Sequence, residues 1–361
     1  MSRKRDCICL SALLALLFLT LTFTGCKHRP LEEMQIIENI FVKVYFDEEI
    51  RNVSYGFYDE NKRRPEYNSP QSMRVMFYDY ESGKLVTERY LNDCGEDEEG
   101  YYIQGLMGVP EGRYNILAYN FDTKETKTKN DDIYAGITAY TQYLSDSEVK
   151  YIFSSRSDAN EYEEPVHRQP DHTFTARVED FRVEAPGPAQ APDTLKTKNC
   201  KYPVAKTMVK SYYFQFNVKG VEYVRSAVAL ITGMAGSKNM HKDEMIDDDI
   251  VSIYFGLNNG KEKRSIDADE NTVAYATFNT FGKLPHTEGY IDVTFEFKTI
   301  YNTVQTETFH VTDMFETEQV KEKQWIIIDK IIEIIPPEGS EGGGMTPGVN
   351  DWEEIEGSIT I

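Results

Sequence analysis

The sequence predicts an all-β protein, two tandem antiparallel β-sandwich domains behind an N-terminal lipoprotein signal peptide. Three observations carry this expectation. Apolar residues recur with period two in short runs bounded by Gly, Pro, Asn and Asp. The chain holds 24 Tyr and 19 Phe, side chains that fit a pleated, half-buried surface. A proline-rich stretch interrupts the strand pattern, and a basic, then apolar, then small-residue segment opens the chain.

In order along the chain, Arg3, Lys4 and Arg5 precede a nearly uninterrupted apolar run from Ile8 to Phe23, and Thr24-Gly25-Cys26 follows. At roughly 16 residues the run falls short of the ~20 that a membrane-spanning helix needs. It reads instead as an export signal cleaved before Cys26. In bacterial lipoproteins the thiol of that cysteine takes a diacylglycerol and its freed amine a further acyl chain such as palmitate, so Cys26 is the expected lipidation site and the membrane the expected partner. Loss of residues 1–25 removes three positive charges and one negative, taking the net charge from −21 to −23. Such a surface repels polyanions, and with no basic patch interleaved with aromatics the sequence argues against nucleic-acid binding.

Residues 26–160 are expected to form the first sandwich. Ile36 to Phe46 reads as its first strand. Met73, Val75 and Phe77 alternate with Arg74, Met76 and Tyr78, and Glu81-Ser82-Gly83 turns the chain into Leu85 to Tyr90 as a hairpin. After Tyr101-Tyr102-Ile103, a turn at Pro110-Glu111-Gly112 leads into the alternating Tyr114, Ile116 and Ala118. Residues 161–206 carry Pro165, Pro170, Pro186, Pro188, Pro192 and Pro203, and are expected as a connection with Thr173 to Val183 as an edge strand. Residues 207–361 restart the pattern as a second sandwich, with strands at Phe214 to Val218, Tyr223 to Ile231, Ile253 to Gly256, Val273 to Phe278, Tyr290 to Phe297 and Thr308 to Val311. Helical periodicity is confined to Asp313 to Gln324. A Gly-rich leash, Gly342 to Gly344, precedes a terminal strand in which Ile355, Ile359 and Ile361 share one face. Val75, Phe77, Tyr114 and Ile116 are expected to point into the first core, and Phe214, Phe216, Val293 and Phe295 into the second.

Catalytic signatures are thin. Ser147-Glu148-Val149-Lys150 has the S-x-x-K spacing in which a lysine activates a serine, but its partner motifs S-D-N and K-T-G are absent and strand or loop surroundings are expected there. No phosphate-binding, dinucleotide or metalloprotease motif occurs, so no enzyme activity, cofactor or metal is expected. His167 and His172 flank a proline loop, and the acidic runs Glu96 to Glu99 and Asp243 to Asp249 lack the alternating spacing of a calcium loop. Cys94 and Cys200 could pair, although two thiols make no disulfide framework. Tyr78, Tyr80, Tyr101 and Tyr102, if exposed, could stack on sugar rings, which would make the protein a glycan-binding surface lipoprotein.

Cys26 followed by Lys27-His28-Arg29-Pro30-Leu31, the segment Val109-Pro110-Glu111-Gly112-Arg113-Tyr114 to Tyr119-Asn120, Val221 to Ser226 leading to Thr232-Gly233-Met234-Ala235-Gly236, and the tail Asp351-Trp352-Glu353-Glu354-Ile355 together resemble the fimbrillin-like lipoproteins. These are type V pilus subunits and related surface adhesins of Gram-negative gut and oral bacteria. The resemblance implies transthyretin-like sandwiches, a lipid-held position on the outer membrane facing the cell surface, and a role as a fimbrial subunit or fimbria-associated adhesin with other subunits, host or bacterial ligands as partners. It also implies assembly by strand addition. In such relatives a protease cuts after an arginine beyond the first strand, a role that falls here to Arg51, and a donor strand from one subunit completes the next, a role that falls to Trp352, Ile355, Ile359 and Ile361. The alternative is that both strands stay in their own domains and the protein remains a lipid-bound monomer, anchor or cap.

Overall fold

Alternation of apolar and polar side chains along a strand buries one face of a sheet, and two such faces close on each other as a sandwich. The computed structural model describes residues 37–47, 69–154, 164–184, 202–260, 272–284 and 291–336, and among them it is built from strands. The first half runs β1 (Ile37–Phe46), β2 (Met73–Asp79), β3 (Leu85–Leu91), β4 (Asp93–Asp97), β5 (Gly100–Pro110), β6 (Gly112–Asn120), β7 (Thr126–Lys129), β8 (Thr138–Thr141), helix α1 (Asp146–Ile152), β9 (Val166–His167), β10 (Phe174–Val183) and β11 (Val204–Thr207). The second half continues with β12 (Lys210–Lys219), β13 (Val224–Ala235), β14 (Ser237–Asn239), β15 (Glu244–Met245), β16 (Ile250–Gly256), β17 (Asn258–Gly260), β18 (Thr272–Thr280), β19 (Asp292–Thr299), β20 (Val304–His310), helix α2 (Glu318–Lys323) and β21 (Trp325–Glu333).

The first sandwich has the strand order β3-β2-β6-β10-β11-β1-β5-β4. Strand β11 turns the corner between its two layers, antiparallel to β10 and parallel to β1. Its core gathers Val42 and Val44 of β1, Val75 and Phe77 of β2, Tyr114 and Ile116 of β6 and Phe174 of β10. The second sandwich packs the sheet β17-β18-β12-β21 on the sheet β20-β19-β13-β16-β9, and Phe214, Phe216, Val293 and Phe295 are buried between them. All eight side chains expected to point inward therefore do so. The hairpin also stands as expected: Asp79 accepts hydrogen bonds from the Ser82 amide and hydroxyl, and Gly83 at φ +67 supplies the left-handed turn residue.

Several expectations are corrected. Strand β10 lies in the interior of its sheet, between β6 and β11, and not at an edge. The prolines that suggested an edge flank the strand and none falls within it, so every ladder amide is available. A bulge between Val178 and Phe181, with Asp180 at φ +56, shifts the register so that Phe181 and Val183 also face the core. The helical segment expected at Asp313 to Gln324 is two pieces, a 3-10 turn at Thr312–Glu316 and α2, broken where Thr317 caps α2 by accepting from the Val320 amide. Several elements were not expected, two of them with a clear local cause or pairing. Strand β21 pairs parallel to β12, and α1 carries a capping box in which Ser145 and Glu148 each satisfy the other's backbone amide.

A third cluster joins the halves. Met76, Tyr78, Leu117 and Tyr119, on the outer face of β2 and β6, are covered by Tyr134, Ile137, Met208, Val209, Met240 and Phe281. The small sheet β15-β14-β8-β7 supplies part of this cover. Tyr78 is consequently buried, not exposed, with its hydroxyl donated to the Asp131 carbonyl and its pKa pushed up by burial.

Candidate assembly site

Strand β1 of the first sandwich alternates two kinds of surface. Ile40, Val42, Val44 and Phe46 point into the core, the first three with no exposed area and Phe46 only 4% exposed. At about 1.5–3 kcal/mol for each fully buried apolar side chain, these four are a large share of what holds the strand. β1 sits between β5 and β11, and its register with β11 covers only Tyr45 opposite Val204 and Phe46 opposite Ala205. The Tyr45 and Asp47 amides donate to Pro203 and Ala205 carbonyls.

The other face of β1 carries Lys43 and Tyr45, two residues apart and hence on one side. Lys43 Nζ lies 2.6 Å from Asp97 Oδ2 at the end of β4, and the Tyr45 hydroxyl donates to the same oxygen at 2.9 Å. Three rings surround the ammonium, with centroids at 3.7 Å for Tyr102, 4.8 Å for Tyr45 and 5.9 Å for Tyr202. Tyr45 packs edge-on against Tyr102 at 5.7 Å and tilted against Tyr202 at 5.6 Å. The Lys43 side chain is 13% exposed. Burial pulls its pKa down, but the hydrogen bonds to Asp97 and Tyr45 outweigh this and raise it, while the same bond to Lys43 lowers that of Asp97. This cage escaped the sequence reading. The alternation of Lys43 and Tyr45 was visible, but Asp97, Tyr102 and Tyr202 come from three distant segments that only the tertiary fold brings together.

Cys26, Arg51, Cys200, Trp352, Ile355, Ile359 and Ile361 lie outside the described residues. Cys94 forms no disulfide among the described residues, and its Sγ lies 3.5 Å from the Gln71 carbonyl. Ser147 and Lys150 occur on the exposed side of α1, a helix and not the strand or loop expected, whose other side buries Val149 and Ile152. The four tyrosines do not make one platform. Tyr101 donates to the Pro70 carbonyl at 2.6 Å, Tyr102 belongs to the cage, and Tyr80 lies under the Arg113 guanidinium at 3.6 Å. His167 faces the Thr141 hydroxyl, and His172 lies beside the Asn279 amide with its pKa pushed down to about 4 by burial. Among the described residues no group of three or more His, Cys, Asp or Glu side chains could hold a metal ion, and Asp97 and Asp243 are each taken by a lysine. No helix among them is long and apolar enough to cross a membrane. A cavity of about 350 Å³ lies beyond α1, lined by Tyr151, Ser154, Arg225, Lys298 and Thr303, and none of the four tyrosines lines it.

Residues 62–256 match the family described as Domain of unknown function (DUF5119). Over 360 residues, and 94% of each chain, the sequence is 24% identical to the provisionally named fimbrium anchoring subunit Fim4B of Bacteroides ovatus. A crystal structure of a protein provisionally described as an adhesin, also from Bacteroides ovatus, superposes with a TM-score of 0.53 at 21% identity, covering 87% of this chain and 98% of that one. The fimbrial anchor protein Mfa2 of Porphyromonas gingivalis superposes with a TM-score of 0.44 at 10% identity, covering 82% of this chain and 91% of that one.

Proposed function

The chain belongs to the DUF5119 family, and on that premise we propose that it is a lipid-anchored fimbrial subunit with a structural, non-enzymatic role, joined to its neighbour by β-strand addition. The observation that carries the reading is the end-to-end relationship to a protein named as an anchoring subunit, 94% of both chains. The all-β body and the placement of β1 support it. A sheet strand whose inward face is wholly apolar occupies a groove that only another strand can fill, because the flanking backbone groups and the core must be satisfied together.

Chain connectivity limits how the anchor can work. Lipid on Cys26 is joined to the body through β1, so a cut after Arg51 leaves the lipid attached only as long as β1 stays in the sheet. An anchoring subunit therefore keeps β1 and joins its neighbour by giving away a strand, the role assigned to Trp352 to Ile361 on the Gly342 to Gly344 leash.

Two variants test this. Cys26→Ser should release the protein from the membrane fraction, and unchanged fractionation overturns the lipid anchor. Deletion of residues 350–361 should leave export and membrane attachment intact yet abolish incorporation into higher-order assemblies. Assembly by the truncated protein overturns strand donation.

A further inference from the structure

We infer that the cavity beyond α1 is a binding site for an acidic sugar, a single uronate ring whose carboxylate is held by Arg225 and Lys298. The site lies against the second sandwich and shares no residue with β1, so it stands or falls independently of strand addition.

A break in strand patterning brings the two cations together. On β13, Ala227 and Ala229 face the core, and strict alternation would turn residue 225 inward as well. A bulge prevents this. Val224 pairs with Thr299 and Ser226 with Lys298, which leaves Arg225 as the extra residue; Val224 takes the core position and Arg225 is exposed. Arg225 therefore stands beside Lys298 across the ladder, and both line the cavity. Like charges at neighbouring positions of a sheet repel. They are held together here in a chain of net charge −21, in a cavity that no Asp or Glu lines among the described residues. Glu296, on the same face of β19 as Lys298, is 1% exposed and accepts the Ser154 amide at 2.7 Å, so it serves the end of α1.

The donors suit a carboxylate. Lys298 gives two of its three N–H groups to the Tyr151 and Ile152 carbonyls, at 3.3 and 3.4 Å, which leaves one among the described residues. A guanidinium presents a planar fork that matches the two oxygens of a carboxylate. Another part of the wall is hydroxylated and fixed: Thr299 Oγ1 lies 2.6 Å from Thr303 Oγ1 and accepts the Thr303 amide, while Asn302, at φ +61, donates its amide to the Thr299 carbonyl and closes the turn between them. Tyr151, 61% exposed on α1, adds a ring. Cations, hydroxyl and amide groups and an aromatic face are what the carboxylate, the hydroxyls and the C–H face of an acidic sugar require. Size speaks against a bare inorganic anion. About 350 Å³ is the share of roughly a dozen waters at ~30 Å³ each, close to the dozen or so non-hydrogen atoms of one uronate.

The test is calorimetric titration of the full mature chain with methyl glucuronide, methyl glucoside and inorganic phosphate. The glucuronide should bind, and the other two should bind at least about tenfold more weakly. Arg225→Gln and Lys298→Gln should each weaken the glucuronide about tenfold and leave the glucoside unchanged, because each removes a charge while the amide keeps an N–H for its neighbours. Lys298→Arg keeps the charge and should stay within about threefold. Tyr151→Ala should weaken the glucuronide about fivefold and leave phosphate unchanged. Equal binding of the glucoside, or full glucuronide affinity in both glutamine variants, overturns the carboxylate clamp. Phosphate as tight as the glucuronide, or a glucuronide affinity indifferent to Tyr151→Ala, overturns the sugar assignment. Binding by none of the three probes overturns the site itself.

Discussion

Phe295→Ala should cost about 3–5 kcal/mol, among the largest single-site effects in the second sandwich. Phe295 on β19 has no exposed area and lies among four rings, with centroids at 4.5 Å for Phe216, 5.4 Å for Phe214, 5.7 Å for Phe309 and 6.4 Å for Phe297. Truncation removes the transfer free energy of the ring and leaves a cavity. It also removes tilted aromatic pairs, a kind of contact worth about 0.5–1.5 kcal/mol beyond its area. Collapse around the gap is restricted because the neighbouring rings belong to both layers, β12 on one side and β19 and β20 on the other, each fixed by its own ladder. Phe295→Leu keeps most of the volume and should cost less than half as much. Urea unfolding followed by Trp325 fluorescence reads this sandwich, since Trp325 is buried on β21 beside Tyr213. The midpoint should fall with the m-value unchanged. A loss below about 1 kcal/mol would refute the argument, because it would mean that the layers close over the gap and the core is not held in register by its sheets.

Three further outcomes are expected. His172 has its pKa lowered from 6.5 to about 4 by burial, so between those values the unfolded chain binds more protons and stability rises with pH; the contribution, at most about 3 kcal/mol, is complete above pH 6.5 and lost as pH falls toward 4. His172→Gln should flatten that window in pH-dependent urea midpoints, and an unchanged slope would sink the assignment. Ser145→Ala should cost about 1 kcal/mol by opening the capping box of α1, with amide exchange accelerating at Glu148 first; unchanged protection there would rule the cap out as a contributor. Gly220 has φ +82, and a Cβ there would come within 2.6 Å of the Ile334 carbonyl oxygen; Gly220→Ala should therefore cost about 1–3 kcal/mol of stability, read as a lowered urea midpoint, whereas a neutral or stabilising result would contradict the strain.

The sequence by itself determined the β class, the hairpin at Asp79 to Gly83 and the inward sets of both cores, because period-two patterning and turn chemistry are local and a sheet reads them directly. It missed β21, whose Trp-Ile-Ile-Ile start lacks alternation, because that end of the strand is covered on both sides and so need not alternate. The same physics hid Tyr78: β2 is buried on both faces, since a third cluster covers the side that alternation assigned to water. Strand order was equally beyond local reading. β10 reached the sheet interior because its prolines fall outside its ladder, and the parallel pairing of β1 with β11 joins residues that the sequence places far apart. The cage around Lys43 shows the division most directly. Sequence alternation determined that Lys43 and Tyr45 share the outer side of a strand with an apolar inner side, but which groups they meet depends on how β4, β5 and the approach to β11 are laid beside β1, a long-range arrangement fixed only when both layers of the sandwich close on their common core.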